Sequence, residues 1–280
     1  MIQEIAPHKY DNQYKHVPPD AESIALYYEG SSVLVRHTGE GIAFPRYGEL
    51  ARVSEAIYED WVYLFTIDSE RYYLVGELDW KALTGYTMEI VGSLRNVEPQ
   101  YCAFAGITGY QLYNWYCGHL FCGRCGHEMK HDGKQRMLRC RSCGNVEFPK
   151  ICPAVIIGVT DGDRILMSKY AGRAYKKYAL LAGFTEIGET AEETVAREVM
   201  EEVGLRVKNI RYYKSQPWGI AGNLSIGYFC DLDGDDTIRI DENELSMAGW
   251  YDRHALPAKD DGISLTREMI RIFAEGKEPK

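Results

Sequence analysis

Between Gly183 and Leu205 the chain reads GFTEIGETAEETVAREVMEEVGL. From Thr190 to Val203 these are helix formers, and Ala191, Val195, Val199 and Val203 recur every four residues, which predicts a helix with one face committed to a core. Glu198, Glu201 and Glu202 stand at i, i+3 and i+4, so their carboxylates emerge on one strip of that helix and can meet at a common cation. Three like charges this close repel unless cations neutralise them, and no Lys or Arg stands at an offset that pairs all three. Oxygen donors of this hardness suit Mg²⁺ or Mn²⁺. Arg197 is expected to tie Glu189 across the entering loop and so orient the helix. Gly183 and Gly188 are assigned to that loop, and Gly204 is expected to end the helix in a left-handed conformation.

A Glu-rich helix is usually a solvated acidic face. Here the pattern is longer: Gly, five residues, Glu, seven residues, then Arg-Glu-Val-x-Glu-Glu-x-Gly-Leu. With Gly near 7% of average usage, roughly, a chance match across all those positions is negligible.

Cys122-x-x-Cys125 and Cys140-x-x-Cys143 form a second pattern, two knuckles separated by 14 residues. Each turn aims two thiolates at one point, and four sulfurs complete a closed tetrahedral site, so the expected ion is one structural zinc. It would stabilise an insert too small to bury a sufficient core. His119, His127 and His131 are read as solvated or packing residues, and Cys102, Cys117, Cys152 and Cys230 as scattered thiols. Arg124, Lys130, Lys134, Arg136, Arg139 and Arg141 give this insert a basic tint, as in nucleic-acid-binding ribbons.

Three segments follow. Residues 1–110 alternate in short apolar runs such as SVLVR (32–36) and VYLFTI (62–67), read as a β-rich scaffold or dimerisation domain. Residues 111–150 hold a helix and the Cys-rich insert. Residues 151–280 read as a mixed α/β domain, opening on the hairpin AVIIGV (154–159) and RILMSKY (164–170). The net charge of −9 argues against non-specific nucleic-acid or anionic-membrane binding and favours metal mediation toward a phosphate substrate. No basic n-region precedes an apolar stretch and no apolar run reaches eighteen residues, so the expectation is a cytoplasmic protein with no membrane span.

The Gly183–Leu205 motif resembles the signature of the Nudix superfamily at every specified position, and the order of features is similar to the zinc-ribbon-containing NADH pyrophosphatase family. In that family a four-Cys ribbon precedes the Nudix box and SQPWPFPxS follows it; here Ser215-Gln216-Pro217-Trp218 follows. The segments WYCGHLFC (115–122) and FPKICPA (148–154) also resemble it, and the likeness extends to ISLTR (263–267), whereas residues 1–110 resemble the family only in position and length. The resemblance implies an α+β fold whose C-terminal Nudix domain is an α/β/α sandwich with a mixed sheet. It implies Glu198, Glu201 and Glu202 as ligands of two or three Mg²⁺ or Mn²⁺ ions, with Glu244 as a further metal or water-orienting carboxylate. Phe184 becomes a base-stacking platform, Trp218 the other half of an aromatic sandwich supplied from the partner subunit of a homodimer, and Gln216 a polar substrate contact, with Asn223 expected to donate the polar contact of the family's missing Ser. After Trp218 the family's Pro-Phe-Pro-x-Ser becomes Gly219-Ile220-Ala221-Gly222-Asn223, so a less rigid loop is expected.

The activity implied is hydrolysis of the pyrophosphate bond of NADH or NAD⁺ to nicotinamide mononucleotide and AMP. ADP-ribose, another dinucleotide or NAD-capped RNA is the alternative substrate. From another class, the chain would be a zinc-ribbon nucleic-acid-binding or regulatory protein with an inactive Nudix fold.

Overall fold

The computed structural model describes residues 1–172, 177–257 and 262–280. The chain divides into two compact units, one of Ile2–Lys150 with Gly219–Ala221, the other of Met1, Ile151–Trp218 and Gly222–Lys280.

In the first unit the strands are β1 (Tyr10–Asp11), β2 (Ile24–Leu26), β3 (Tyr28–Glu29), β4 (Ser32–Thr38), β5 (Gly41–Ala43), β6 (Trp61–Ile67), β7 (Glu70–Val75) and β8 (Thr87–Ile90), with a short helix α1 (Tyr47–Leu50). They make two four-stranded sheets, one ordered β1-β6-β7-β2 and one in which β4 joins β3, β5 and β8. The core is rich in tyrosine: Tyr47, Tyr63 and Tyr73 pack with Leu34 and Leu50. Helix α2 (Gln100–Gly118) follows and runs through residue 110, so the expected division at that point falls inside an element. Next come β9 (Met129–His131), β10 (Leu138–Cys140) and β11 (Val146–Glu147), an antiparallel sheet ordered β11-β10-β9. The Arg136 guanidinium donates to the carbonyls of Tyr63 and Leu64, and the Tyr14 hydroxyl to that of Asp132, so this small sheet is tied to the N-terminal strands.

The second unit contains β12 (Cys152–Asp161), β13 (Arg164–Tyr170), β14 (Leu181–Phe184), α3 (Ala191–Val203), β15 (Val207–Trp218), β16 (Asn223–Leu232), β17 (Leu245–Asp252) and α4 (Leu265–Ala274). The six strands form one sheet, β15-β16-β12-β13-β17, with β14 on β12; β12 and β16 are parallel and the other pairs antiparallel. Strand alternation sends Val155, Ile157, Val159 and Leu166 to one face, where Val195, Val199 and Val203 of α3 pack. Ile165, Met167 and Phe229 face the other way, against Leu265, Met269, Ile270 and Phe273 of α4. This is the expected α/β/α sandwich. The three α3 valines are fully buried, each contributing about 1.5–3 kcal/mol. Among the described residues no helix is long and apolar enough to cross a membrane.

Candidate active site

The carboxylate helix is anchored at both ends. Thr190 caps its start, its hydroxyl accepting from the Glu193 amide at 3.2 Å while the Glu193 carboxylate accepts from the Thr190 amide at 2.7 Å. Gly204 closes the far end at φ 69°, the left-handed cap expected.

Glu198 points back into the protein and is 8% exposed. It enters because Gly183 lies opposite: a Cβ there would sit 1.9 Å from the Glu198 carboxyl carbon. Gly183 is therefore not a loop glycine. It is paired to Val155 within β14, and its requirement is the close approach of a carboxylate. Gly183→Ala should displace Glu198 and lower kcat at least about tenfold, equivalent to ~1.4 kcal/mol. Steady-state kinetics, with circular dichroism to confirm the fold, would check it; unchanged turnover would remove Glu198 from the site.

Arg197 does more than the sequence suggested. Its Nε and Nη2 clasp Glu189, Nη2 also donates to the Phe184 carbonyl at 2.9 Å, and Nη1 donates to both Glu198 and Glu201 at 2.8 Å. One guanidinium thus joins the entering loop, the end of β14 and two of the three helical carboxylates. Thr194, which sequence reasoning passed over, adds its hydroxyl to Glu189 at 3.0 Å. Its signal was a lone hydroxyl among the inward-facing residues of α3.

Arg197 beside Glu189 holds that carboxyl down at about 2. Because the folded value lies below the unfolded one, the stabilisation is complete above the ordinary Glu range near 4.5 and fades as pH falls toward about 2. Glu189→Gln should therefore narrow the acid-side stability difference from wild type between those values, a shift that denaturant titrations at several pH values would show. Burial pushes the Glu198 carboxyl upward, opposed by Arg197 and reinforced by the negative charges of Glu201 and Glu244.

Glu202 is 2% exposed, whereas Glu201 is largely in solvent. Glu244 is an exposed residue on the turn before β17. That turn is docked on the end of α3 by the Asp241 amide bonding to the Glu202 carbonyl at 2.9 Å, which is how Glu244, distant in sequence, comes within the field of Glu198. The donor set is all carboxylate oxygen, which fits a hard divalent cation.

In the ribbon the donor set is all thiolate. The Sγ atoms of Cys122, Cys125, Cys140 and Cys143 lie within 4.8 Å of one another, with Cys122–Cys143 at 3.6 Å and Cys125–Cys140 at 3.5 Å. A tetrahedron with zinc–sulfur bonds near 2.3 Å has edges of about 3.8 Å, so the four sulfurs fit zinc. Among the described residues this is the one group of three or more metal-ligating atoms drawn so close; the glutamates are not, Arg197 standing between Glu198 and Glu201.

Four residues were expected to touch substrate. Phe184, at the end of β14, presents a ring to solvent with 55% of the residue exposed, and Trp218 is half-buried at the end of β15. Gln216 is 1% exposed; its amide donates to the Ile263 carbonyl and its oxygen accepts from the Leu265 amide, both at 2.7 Å, fastening the start of α4 to β15. Asn223 is also buried and donates to the Ser225 hydroxyl at 3.1 Å. The Gln216 amide is thus engaged at both ends within the fold, whereas the Asn223 oxygen is buried without a hydrogen-bond partner among the described residues. Gly219, expected to loosen its loop, instead lies where a Cβ would come 2.7 Å from the Ile107 carbonyl oxygen, so its bare backbone serves close packing on α2.

An α/β/α sandwich carrying this arginine-linked glutamate cluster on the helix behind β14 defines a Nudix hydrolase. The NUDIX domain family matches residues 150–272, and the NADH pyrophosphatase zinc ribbon domain matches residues 119–148. A protein of Erwinia tasmaniensis described as NAD-capped RNA hydrolase NudC is 38% identical over 70% of this chain and 75% of its own. One of the same description from Citrobacter koseri is 35% identical over 74% of this chain and 82% of its own. The chain belongs to the zinc-ribbon-containing NADH pyrophosphatase family of Nudix hydrolases.

Proposed function

We propose that this hydrolase cleaves the pyrophosphate of NADH or NAD⁺, water adding across one P–O bond to release nicotinamide mononucleotide, reduced or oxidised, and AMP. The observation that carries the reading is the hydrogen bonding of Arg197, which couples the exposed Phe184 platform to Glu189, Glu198 and Glu201. A base stacked on Phe184 is thereby held in register with the carboxylates. Glu198, Glu201, Glu202 and Glu244 would hold Mg²⁺ or Mn²⁺, which when bound neutralises pyrophosphate charge and acidifies water. Arg197 and Glu189 position the helix; Glu244, on its exposed turn, orients the attacking water. Trp218 contributes the second aromatic surface, and by family resemblance it serves the partner's site in a homodimer. The reduced four-thiolate ribbon suits a cytosolic address.

A second reading has the dinucleotide at the 5′ end of an RNA, favoured by the description of the 35–38% identical relatives. Incubation with NADH, NAD⁺, ADP-ribose and NAD-capped RNA, each with Mg²⁺ or Mn²⁺, followed by chromatography of products, tests both. The expected ranking by kcat/KM places the nicotinamide substrates above ADP-ribose. Preference for ADP-ribose would overturn the assignment.

A further inference from the structure

The three-stranded ribbon sheet has two unlike faces. Pairing places Lys130, Arg139 and Val146 in one row across β9, β10 and β11, and His131, Leu138 and Glu147 in the alternate row. On the second face Met129, Leu138 and Cys140 are buried and the His131 ring lies tilted against Tyr116 of α2, centroids 5.0 Å apart, so that face has a structural purpose. The first does not. Phe121 bridges Glu128, which is two residues before Lys130, and Phe148 is two residues beyond Val146, so strand alternation brings both phenylalanines to the face of Lys130 and Arg139. Phe121 is 67% exposed and Phe148 55%, and Arg139 is exposed as well.

Two solvent-facing rings flanking basic side chains on a small sheet are costly to leave in water, and they match the stacking and phosphate contacts by which single-stranded nucleic acid is held. Charge is complementary too. Residues 119–148 carry six Lys or Arg against three Asp or Glu, in a chain whose net charge is −9. We propose that this face of the zinc ribbon binds the single-stranded RNA chain of a 5′-capped substrate, Phe121 and Phe148 stacking on bases and Arg139 meeting phosphate, with Lys130 exchanging its Glu128 partner for a second phosphate. The proposal rests on the reading that the dinucleotide is also accepted on RNA, and it assigns the ribbon a role beyond holding zinc.

The test uses the full chain with zinc bound. Uncapped single-stranded RNA of about twelve nucleotides, within the roughly 4–16 spanned by comparable sheet surfaces, is titrated by fluorescence anisotropy. Phe121→Ala and Phe148→Ala should each weaken binding about tenfold, and Arg139→Glu should also lower the salt dependence. Zinc content should remain that of wild type; if Phe121→Ala loses metal, Phe148→Ala, outside the knuckles, carries the test. For catalysis, kcat/KM on NAD-capped RNA should fall with binding while that on free NAD⁺ stays within about twofold of wild type. Equal effects on both substrates, no effect on RNA binding, or a change of oligomeric state in place of lost RNA affinity would overturn the proposal. Failure of the wild-type protein to cleave either substrate would instead defeat the functional reading, and the uncapped-RNA titration distinguishes the two.

Discussion

Glu201→Gln and Glu202→Gln should each lower kcat for pyrophosphate hydrolysis by about a thousandfold or more, roughly 4 kcal/mol of transition-state stabilisation, while the fold survives. The substitution keeps shape and removes charge. Glu201 is largely exposed, so its neutralisation takes little from stability. Glu202 is nearly fully buried at the end of α3, where a neutral amide of the same size avoids the cost of a buried charge. What both lose is an anionic oxygen for a divalent cation. Turnover measured over a range of Mn²⁺ concentrations, beside thermal unfolding curves, separates the effects. Full activity in both variants would dismiss the helix as the metal-holding element.

Loss of one ribbon thiolate should have the largest structural effect. Cys140→Ser, or prolonged chelation, is expected to unfold residues 119–148, with amide protection of β10 lost and zinc content falling to near zero. Apart from the cysteines, the buried apolar side chains of this segment are few, Met129, Met137 and Leu138 among them, too few to support independent folding. Zinc binding at comparable sites is worth about 10–16 kcal/mol, so the metal dominates. Hydrogen exchange resolved by peptide would show the effect. Protection in α3 should persist, since its valines pack on the sheet of the other unit. Retained protection in β10 without metal would refute a structural role for the four cysteines.

Much of this was legible in the chain. The valine repeat set the buried face of α3, Gly204 its end, and the two CxxC pairs the ribbon, because each depends on residues close in sequence and on local geometry. The hairpin of β12 and β13 was visible for the same reason. Other features had no local signal. Gly183 looked like a loop residue because nothing nearby shows that Glu198, fifteen positions on, needs the space its side chain would occupy. Gln216 looked like a substrate contact because its motif marks a site; its partners, Ile263 and Leu265, are nearly fifty residues away.

Arg197 shows where the division lies. Helical spacing could relate it to Glu201, and loop length to Glu189, but its simultaneous hold on Glu198 and the Phe184 carbonyl required β14 to lie against α3. The ion-holding chemistry, oxygen in one cluster and sulfur in the other, was written in residue types at short spacing, which the chain's own covalent geometry converts into position. The burial of Glu198, the arrival of Glu244 and the outward face of the ribbon depend on strand pairing and packing between distant segments. Those contacts have no local code, since which surfaces meet is settled only by the packing of the whole core.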